Sequence, residues 1–489
     1  MSLNLRSTTL ARVAAALLIG AAAAAAAQPF DTAPRPSAPR PFSIETPTEQ
    51  RLGNGLRVVV AQRSGVQLVT AKLVVLSGSE ADPPQRAGLA TLVAGLLSKG
   101  TRQRSASAQA REAESLGGAL DSSADWDASE VGITVAAPNL DAALALVSDA
   151  ATRPAFAQTE LDRLRGQVLD GLKVAYTQPG TLASLAAERL LYGDRPYGHP
   201  ASGTPASLAR ITRADLLALH AQHYRPDNAA LVLTGDIDPA AALRLSQRHF
   251  GSWRAPSQPL APPAPAGLPQ GLPAQAVVID MQQAGQAAVV VLAPLPPLGA
   301  DRATGAVLNA VLGGGYSSRL NQEVRIKRGL SYGASSQLDN RRQGGALVAT
   351  VQTKNESAAA VVALVQSQLD GLITAPIGDD ELAARKATLI GNFSRAVETT
   401  SGLGAVLRSL IVAGLPLADA GRRIERLSAV TAADVQRLAT AHLGRAGRRV
   451  AVTGDAAKFA SDLQAELPGA VSVRAGALDL EQPGGLSRQ

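Results

Sequence analysis

Two stretches of this chain, far apart in sequence, are versions of one another. TRADLLALHAQHYRPDNAALVLTGD begins at Thr212 and TAADVQRLATAHLGRAGRRVAVTGD begins at Thr431. Asp215 and Asp434, and likewise Thr234 and Thr453, keep one offset of 219 residues without a gap. ELDRLRGQVLDGL from Glu160 and ELAARKATLIGNF from Glu381 are offset by 221. A repeat on this scale implies a duplicated unit of roughly 200 residues, each copy compact with a core of its own. Between the copies, residues 256–273 carry seven prolines among Ala, Gly and Leu, the composition of an extended linker.

Within the copies, strand-like runs at residues 56–60, 71–76, 130–136 and 346–353 alternate with amphipathic helical stretches. Residues 129–151 and 345–372 repeat one order: strand, short polar turn, long helix. This predicts an α+β fold, a sheet layered with helices in each of two homologous domains. The boundaries fall at residues 46–255 and 276–470, with a linker at 256–275, a Pro-rich lead-in at 28–45 and a tail at 471–489. Aromatics make up only 3% of the chain, so the cores must be built from Leu, Val and Ala.

Residues 1–27 place Arg6 and Arg12 ahead of an apolar, Ala-rich run that ends in small residues, the pattern of a cleaved secretory signal peptide. The run is about 15 residues, short of the ~20 that span a bilayer, so no membrane span is expected after cleavage. The chain has no Cys, which excludes disulfides and a Cys-linked lipid anchor. Export without disulfides points to the periplasm. The formal charge of +7 falls to +5 without Arg6 and Arg12. With no dense basic cluster interleaved with aromatics, nucleic-acid binding is not expected.

Residues 88–101, GLATLVAGLLSKGT, read as one helix. Leu89, Leu92, Val93, Leu96 and Leu97 form a continuous apolar stripe, while Thr91, Ala94, Gly95 and Ser98 make a face of small residues. Lys99 and Gly100 suit its C-terminal end. With its GLA and KGT flanks, this stretch resembles the active-site helix of the inverzincin metallopeptidases, the family of pitrilysin, insulin-degrading enzyme and the mitochondrial processing peptidase.

In that family an H-x-x-E-H motif lies between such flanks, two His binding zinc and the Glu activating water. Thr91, Ala94 and Gly95 stand in register with those three residues, and none can ligate zinc or move a proton. The family's third ligand is a Glu about 75 residues further on, within a run resembling R-G-x-x-L-E-E. Here the run is Arg165 to Gly171, with Gly171 at the ligand position; Asp170 beside it would face about 100° away on a helix. The resemblance therefore implies a subunit with no metal site of its own. It covers nearly the whole mature chain, includes residues 192–228, and implies two domains with mainly antiparallel sheets arranged as a clamshell.

Residues 313–338, GGGYSSRLNQEVRIKRGLSYGASSQL, carry what remains of the family's chemistry. Residues 317–328 suit a helix, Gly329 its stop, and residues from Leu330 a strand. Taken alone, Arg325 and Arg328 are cations well placed near a helix C-terminus, and Tyr332 is an ordinary strand aromatic. The segment resembles the family's C-terminal-half motif, in which an Arg and a Tyr seven residues later bind substrate backbone and support the reacting carbonyl. Arg325 and Tyr332 have that spacing, and guanidinium and phenol donors suit that task.

Other chemistries fare worse. Gly313, Gly314 and Gly315 lack the G-K-[ST] of a phosphate loop and read as a turn that permits close backbone approach. His220 and His223 have no carboxylate or thiolate pattern to complete a metal site, and no G-x-S-x-G elbow is present. The expectation is a periplasmic, catalytically incomplete subunit of a zinc metallopeptidase. It would supply Arg325 and Tyr332 for peptide substrates to a homologous, zinc-bearing partner in a heterodimer. The alternative is a non-enzymatic scaffold or peptide-binding protein of the same fold.

Overall fold

A computed structural model of the chain describes residues 44–83, 85–265, 275–481 and 486. The expected signal peptide at 1–27, and all but the end of the lead-in at 28–45, lie outside the described residues. Residues from Ile44 onward form one compact unit.

The first half holds a six-stranded sheet built from β1 (Thr48–Arg51), β2 (Arg57–Gln62), β3 (Leu68–Val75), β4 (Asp121–Ala124), β5 (Ser129–Ala136) and β6 (Ala229–Gly235), in the order β1-β2-β6-β3-β5-β4. The second half holds β7 (Ala276–Asp280), β8 (Ala287–Leu295), β9 (Ala334–Arg341), β10 (Gly344–Thr353), β11 (Arg449–Gly454) and β12 (Val471–Arg474), in the order β12-β7-β11-β8-β10-β9. Five strands correspond one to one, β2 through β6 with β7 through β11. In each sheet one such pair, β2 with β6 and β7 with β11, is parallel, and the next three ladders are antiparallel. The fold is therefore α+β, two homologous domains arranged as a clamshell.

The repeated residues mark repeated local chemistry. Thr212 and Asp215 form a reciprocal cap on the Arg213–His223 helix, and Thr431 and Asp434 do the same for Ala432–His442. Each repeat ends in Thr-Gly-Asp at the close of its central strand. A Cβ on Gly235 would lie 2.1 Å from the Leu68 carbonyl oxygen, so only glycine lets these strands approach.

The central strands of both sheets are buried on both faces. In β2, Val58 and Val60 point into one core and Val59 and Ala61 into another. In β8, Val289 and Val291 face one core, Ala288 and Val290 the other. This two-sided burial explains why the strands read as unbroken apolar runs. One face of each sheet is covered by helices of its own half. The other is covered by a helix from the opposite half: Pro179–Tyr192 lies on β7, β8 and β11, and Thr400–Val412 lies on β3 and β6. Each buried leucine of these exchanged helices, such as Leu190 or Leu407, contributes about 1.5–3 kcal/mol.

Two expectations need correction. Residues beyond 470, read as a tail, contribute β12, which pairs in parallel with β7. The strand expected from Leu330 begins at Ala334, because the Ser331 hydroxyl bonds to the Gly333 carbonyl and amide and turns the backbone out of the ladder. Among the described residues one helix, Asn355–Thr374, is long and apolar enough to cross a membrane; its Val361, Val362, Val365 and Leu369 are buried in the core of the second half.

Candidate functional site

The helix expected over residues 88–101 forms at Leu89–Leu97 with its apolar stripe buried, but it ends at Ser98, so Lys99 lies beyond its last turn. The helix N-terminus is fixed by a residue that sequence reasoning missed. The Asp82 carboxylate accepts hydrogen bonds from the backbone amides of Gly88 at 2.8 Å and Ala90 at 2.7 Å, satisfying donors that a helix start leaves open. Burial pushes the Asp82 carboxyl up, opposed by His199, whose Nε2 lies 3.7 Å away, and by those amides.

The positions that would hold zinc in the family are otherwise engaged. The Thr91 hydroxyl donates to the Ala201 carbonyl at 2.8 Å. Ala94 is fully buried. A Cβ on Gly95 would come within 3.0 Å of Leu164, which the Gln158–Ala175 helix sends across this face. On that same helix Gly171 opens on solvent, with nothing near where a side chain would begin. Zinc wants three nitrogen, sulfur or carboxylate donors from protein, and these four residues present one hydroxyl that is already donating. The residues present do not fit the metal. Among the described residues no group of three His, Asp or Glu is placed to hold a metal ion elsewhere. His220 contacts the Ala151 carbonyl and stacks on Tyr224, while His223 pairs with Ser77; the two have separate partners.

The Gly313–Gly333 region lies between the Arg302–Leu312 helix and β9. Cβ atoms on Gly313 and Gly314 would lie 2.2 Å from the Ser336 amide and 2.9 Å from Ala310 Cα, so these glycines allow the close backbone approach expected of them. Gly315 faces open space. The helical segment that follows is wider than expected, with π-type bonding over Asn321–Ile326, a geometry found often at functional sites.

Most cations here are spent on structure. Arg319 makes a bidentate contact with Glu381, Arg385 holds the Ser317 hydroxyl and carbonyl, and Lys327 and Arg328 share Glu323. Arg325 differs. Its guanidinium has no carboxylate and no hydrogen-bond acceptor among the described residues, and lies 5.1 Å from the centroid of the Tyr316 ring. Tyr332 is 90% exposed in the turn before β9, and Tyr316 is 66% exposed. This region therefore presents an exposed guanidinium beside the Tyr316 ring and, six residues beyond the end of the π-type segment, the exposed Tyr332 phenol.

A third feature carried no signal in the sequence motifs. The β9–β10 hairpin of the second half inserts its tip into the first. Arg341, 2% exposed at its side chain, has its guanidinium over the rings of Trp126 at 4.1 Å, Tyr192 at 4.7 Å and Tyr197 at 5.0 Å. It also pairs with Glu188 at 3.1 Å and Asp339. Arg342 reaches Glu80 at 3.0 Å and the Asp127 and Leu76 carbonyls, and its amide donates to the Asp127 carboxylate. Burial pushes the Glu80 carboxyl up to about 8, with Arg342 pulling the other way. Asp127 and Glu188 are raised by burial as well. A cavity of ≈ 750 Å³ adjoins this clasp, walled by Glu80, Asp82, His199, Arg342 and residues 260–264 of the Pro-rich segment. Three of the chain's eight Trp and Tyr residues surround this single arginine, a large share in a chain so poor in aromatics, though only the structure brings them together.

Comparison with known proteins agrees with this architecture. Residues 57–204 match the family model described as insulinase (peptidase family M16), and residues 210–389 match the model described as the peptidase M16 inactive domain. A Mycobacterium bovis protein named an uncharacterized zinc protease is 30% identical over 370 residues, covering 75% of this chain and 84% of that protein. Among solved structures, a peptidase M16 inactive domain from Pseudomonas fluorescens superposes with a TM-score of 0.78 at 25% identity, covering 84% of this chain and 98% of that one. A protease from Helicobacter pylori shares the fold at a TM-score of 0.79 and 20% identity, covering 83% of this chain and 99% of that one. The chain belongs to the insulinase family of peptidases, family M16.

Proposed function

We propose that this member of the insulinase family is a catalytically incomplete, peptide-binding subunit of a periplasmic zinc metallopeptidase. Its partner is a homologous chain with an intact H-x-x-E-H motif and distal Glu, and the two form a heterodimer. Peptides bind in the shared chamber, where Arg325 holds a backbone carbonyl and Tyr332 donates to the oxygen that gains charge as the peptide bond is attacked. Zinc and the activated water belong to the partner.

One contrast carries this reading. The positions corresponding to the metal ligands hold residues that cannot ligate, with the Thr91 hydroxyl committed to Ala201 and the space beside Gly95 taken by Leu164. Arg325 and Tyr332 meanwhile stay exposed, their side chains without hydrogen-bond partners among the described residues, although Lys327 and Arg328 nearby are paired. Selection for structure alone would have little reason to leave a guanidinium and a phenol in that state.

The test is co-expression with a family member that carries H-x-x-E-H, followed by hydrolysis of a quenched fluorescent peptide. The chain alone should show no hydrolysis, the pair should be active and chelator-sensitive, and Arg325→Ala or Tyr332→Phe in this chain should slow the pair. Chelator-sensitive cleavage by this chain alone would overturn the reading. An active pair indifferent to both substitutions would point instead to a scaffold.

A further inference from the structure

We propose that Tyr316 is a positioning residue for Arg325, presenting its guanidinium to bound peptide; this rests on the reading of Arg325 as a peptide-binding group. A guanidinium on a protein surface normally satisfies itself with a nearby carboxylate. Glu323 is two residues away, yet it takes Lys327 and Arg328, and Glu381 takes Arg319. Arg325 is left with an aromatic face, which attracts a cation through its quadrupole and consumes none of its N–H donors. All five remain available for peptide carbonyl or carboxylate oxygens. An ion pair would have restrained the side chain at the cost of donors that substrate needs; the ring restrains it without that cost.

Tyr316 is built to hold still while its ring stays exposed. Its carbonyl accepts from the Nδ2 of Asn321 at 2.5 Å, and Asn321 is buried. The next residue, Ser317, is gripped by Arg385 from the Asp379–Ala396 helix through both its hydroxyl and its carbonyl. Before it, Gly313 and Gly314 bring the loop into backbone contact with β9 and the Arg302–Leu312 helix. An exposed tyrosine on a loop fixed at both ends acts as a platform. The wider π turn of Asn321–Ile326 carries Arg325 to it.

Two measurements test this on the full mature chain. With arginine labelled in 13C and 15N, the Arg325 side-chain resonances should carry a ring-current shift that Tyr316→Phe keeps and Tyr316→Leu removes. A purely structural tyrosine would leave those resonances in place, and that result overturns the proposal. The second is fluorescence polarisation with a fluorescein-labelled, unstructured ten-residue peptide of Gly, Ala, Ser and Leu. Tyr316→Leu should weaken binding about two- to fivefold, Tyr316→Phe should match the wild type, and Tyr316→Leu should add nothing once Arg325→Ala is present. If Arg325→Ala weakens binding while Tyr316→Leu is silent or additive, the positioning role fails and the reading of Arg325 survives. If the peptide binds and Arg325→Ala has no effect, the reading of Arg325 itself fails. If it does not bind the isolated chain, the resonance shift alone decides the positioning claim.

Discussion

Replacing Arg341 by alanine should be among the most damaging single substitutions in this chain. The side chain is buried under three aromatic rings contributed by the other half, and its charge balances Glu188 and Asp339. Removal leaves those carboxylates short of a partner in a region where burial already raises Glu188. It also empties the space the side chain filled between the rings. Breaking a buried pair in this way costs about 3–5 kcal/mol. Arg341→Lys keeps the charge but loses the planar fork that reaches Glu188, Asp339 and the Tyr197 carbonyl together. Its loss should be smaller, about 1.5–3 kcal/mol, the worth of one hydrogen bond to a charged partner. The assay is urea unfolding in a Trp253→Phe background, which leaves Trp126, one wall of the cage, as the sole tryptophan. Far-UV circular dichroism run alongside tests whether the transition is a single one. Coincident curves with the ranking wild type, Lys, Ala support the reasoning. An Arg341→Ala variant within about 0.5 kcal/mol of wild type, the range of an ordinary surface substitution, would refute it.

Three further outcomes are expected. Glu80 has a folded-state pKa of about 8, raised from 4.5 by burial, so the folded state holds its proton more tightly than the unfolded one. Its contribution to stability is present at low pH and lost as pH rises from about 5 to 8; Glu80→Gln should make stability fall less steeply across that window, and an unchanged slope would contradict the assignment. Gly313→Ala should destabilise by about 1–3 kcal/mol because its Cβ meets the Ser336 amide, while Gly315→Ala, with open space around it, should be tolerated in thermal unfolding. Thr91→Ala removes one buried-side hydrogen bond to Ala201 and should cost about 0.5–1.5 kcal/mol in the same assay, leaving the far-UV spectrum unchanged.

The duplication made both sheets legible, since the repeated Thr, Asp and Gly residues are the caps and close strand contacts of the two copies. What sequence could not assign is which sheet a helix covers. The apolar stripe of Pro179–Tyr192 would look the same against either half, and its actual place on β8 and β11 is a matter of tertiary packing. The strand start at Ala334 was missed because the Ser331 turn competes with the ladder through side-chain bonds that hydrophobic pattern ignores. At the candidate site, Thr91, Ala94, Gly95, Gly171, Arg325 and Tyr332 were singled out only through the resemblance to the family's motifs, and their roles rest on the proposed function. Tyr316 was not singled out, because its role depends on where Glu323 and Glu381 spend their charge. The Arg341 cage was hidden for a similar reason, its first-half partners lying in two stretches, at Trp126 and at residues 188–197, far from Arg341 in sequence.

The central claim is that this chain lends binding groups to another chain's metal. Its most direct test is zinc stoichiometry after dialysis against low micromolar zinc, measured by inductively coupled plasma mass spectrometry on the mature chain alone and on its purified complex with an H-x-x-E-H relative. The account predicts no bound zinc for the chain alone and one zinc per heterodimer. One tightly held zinc in the isolated chain would contradict it.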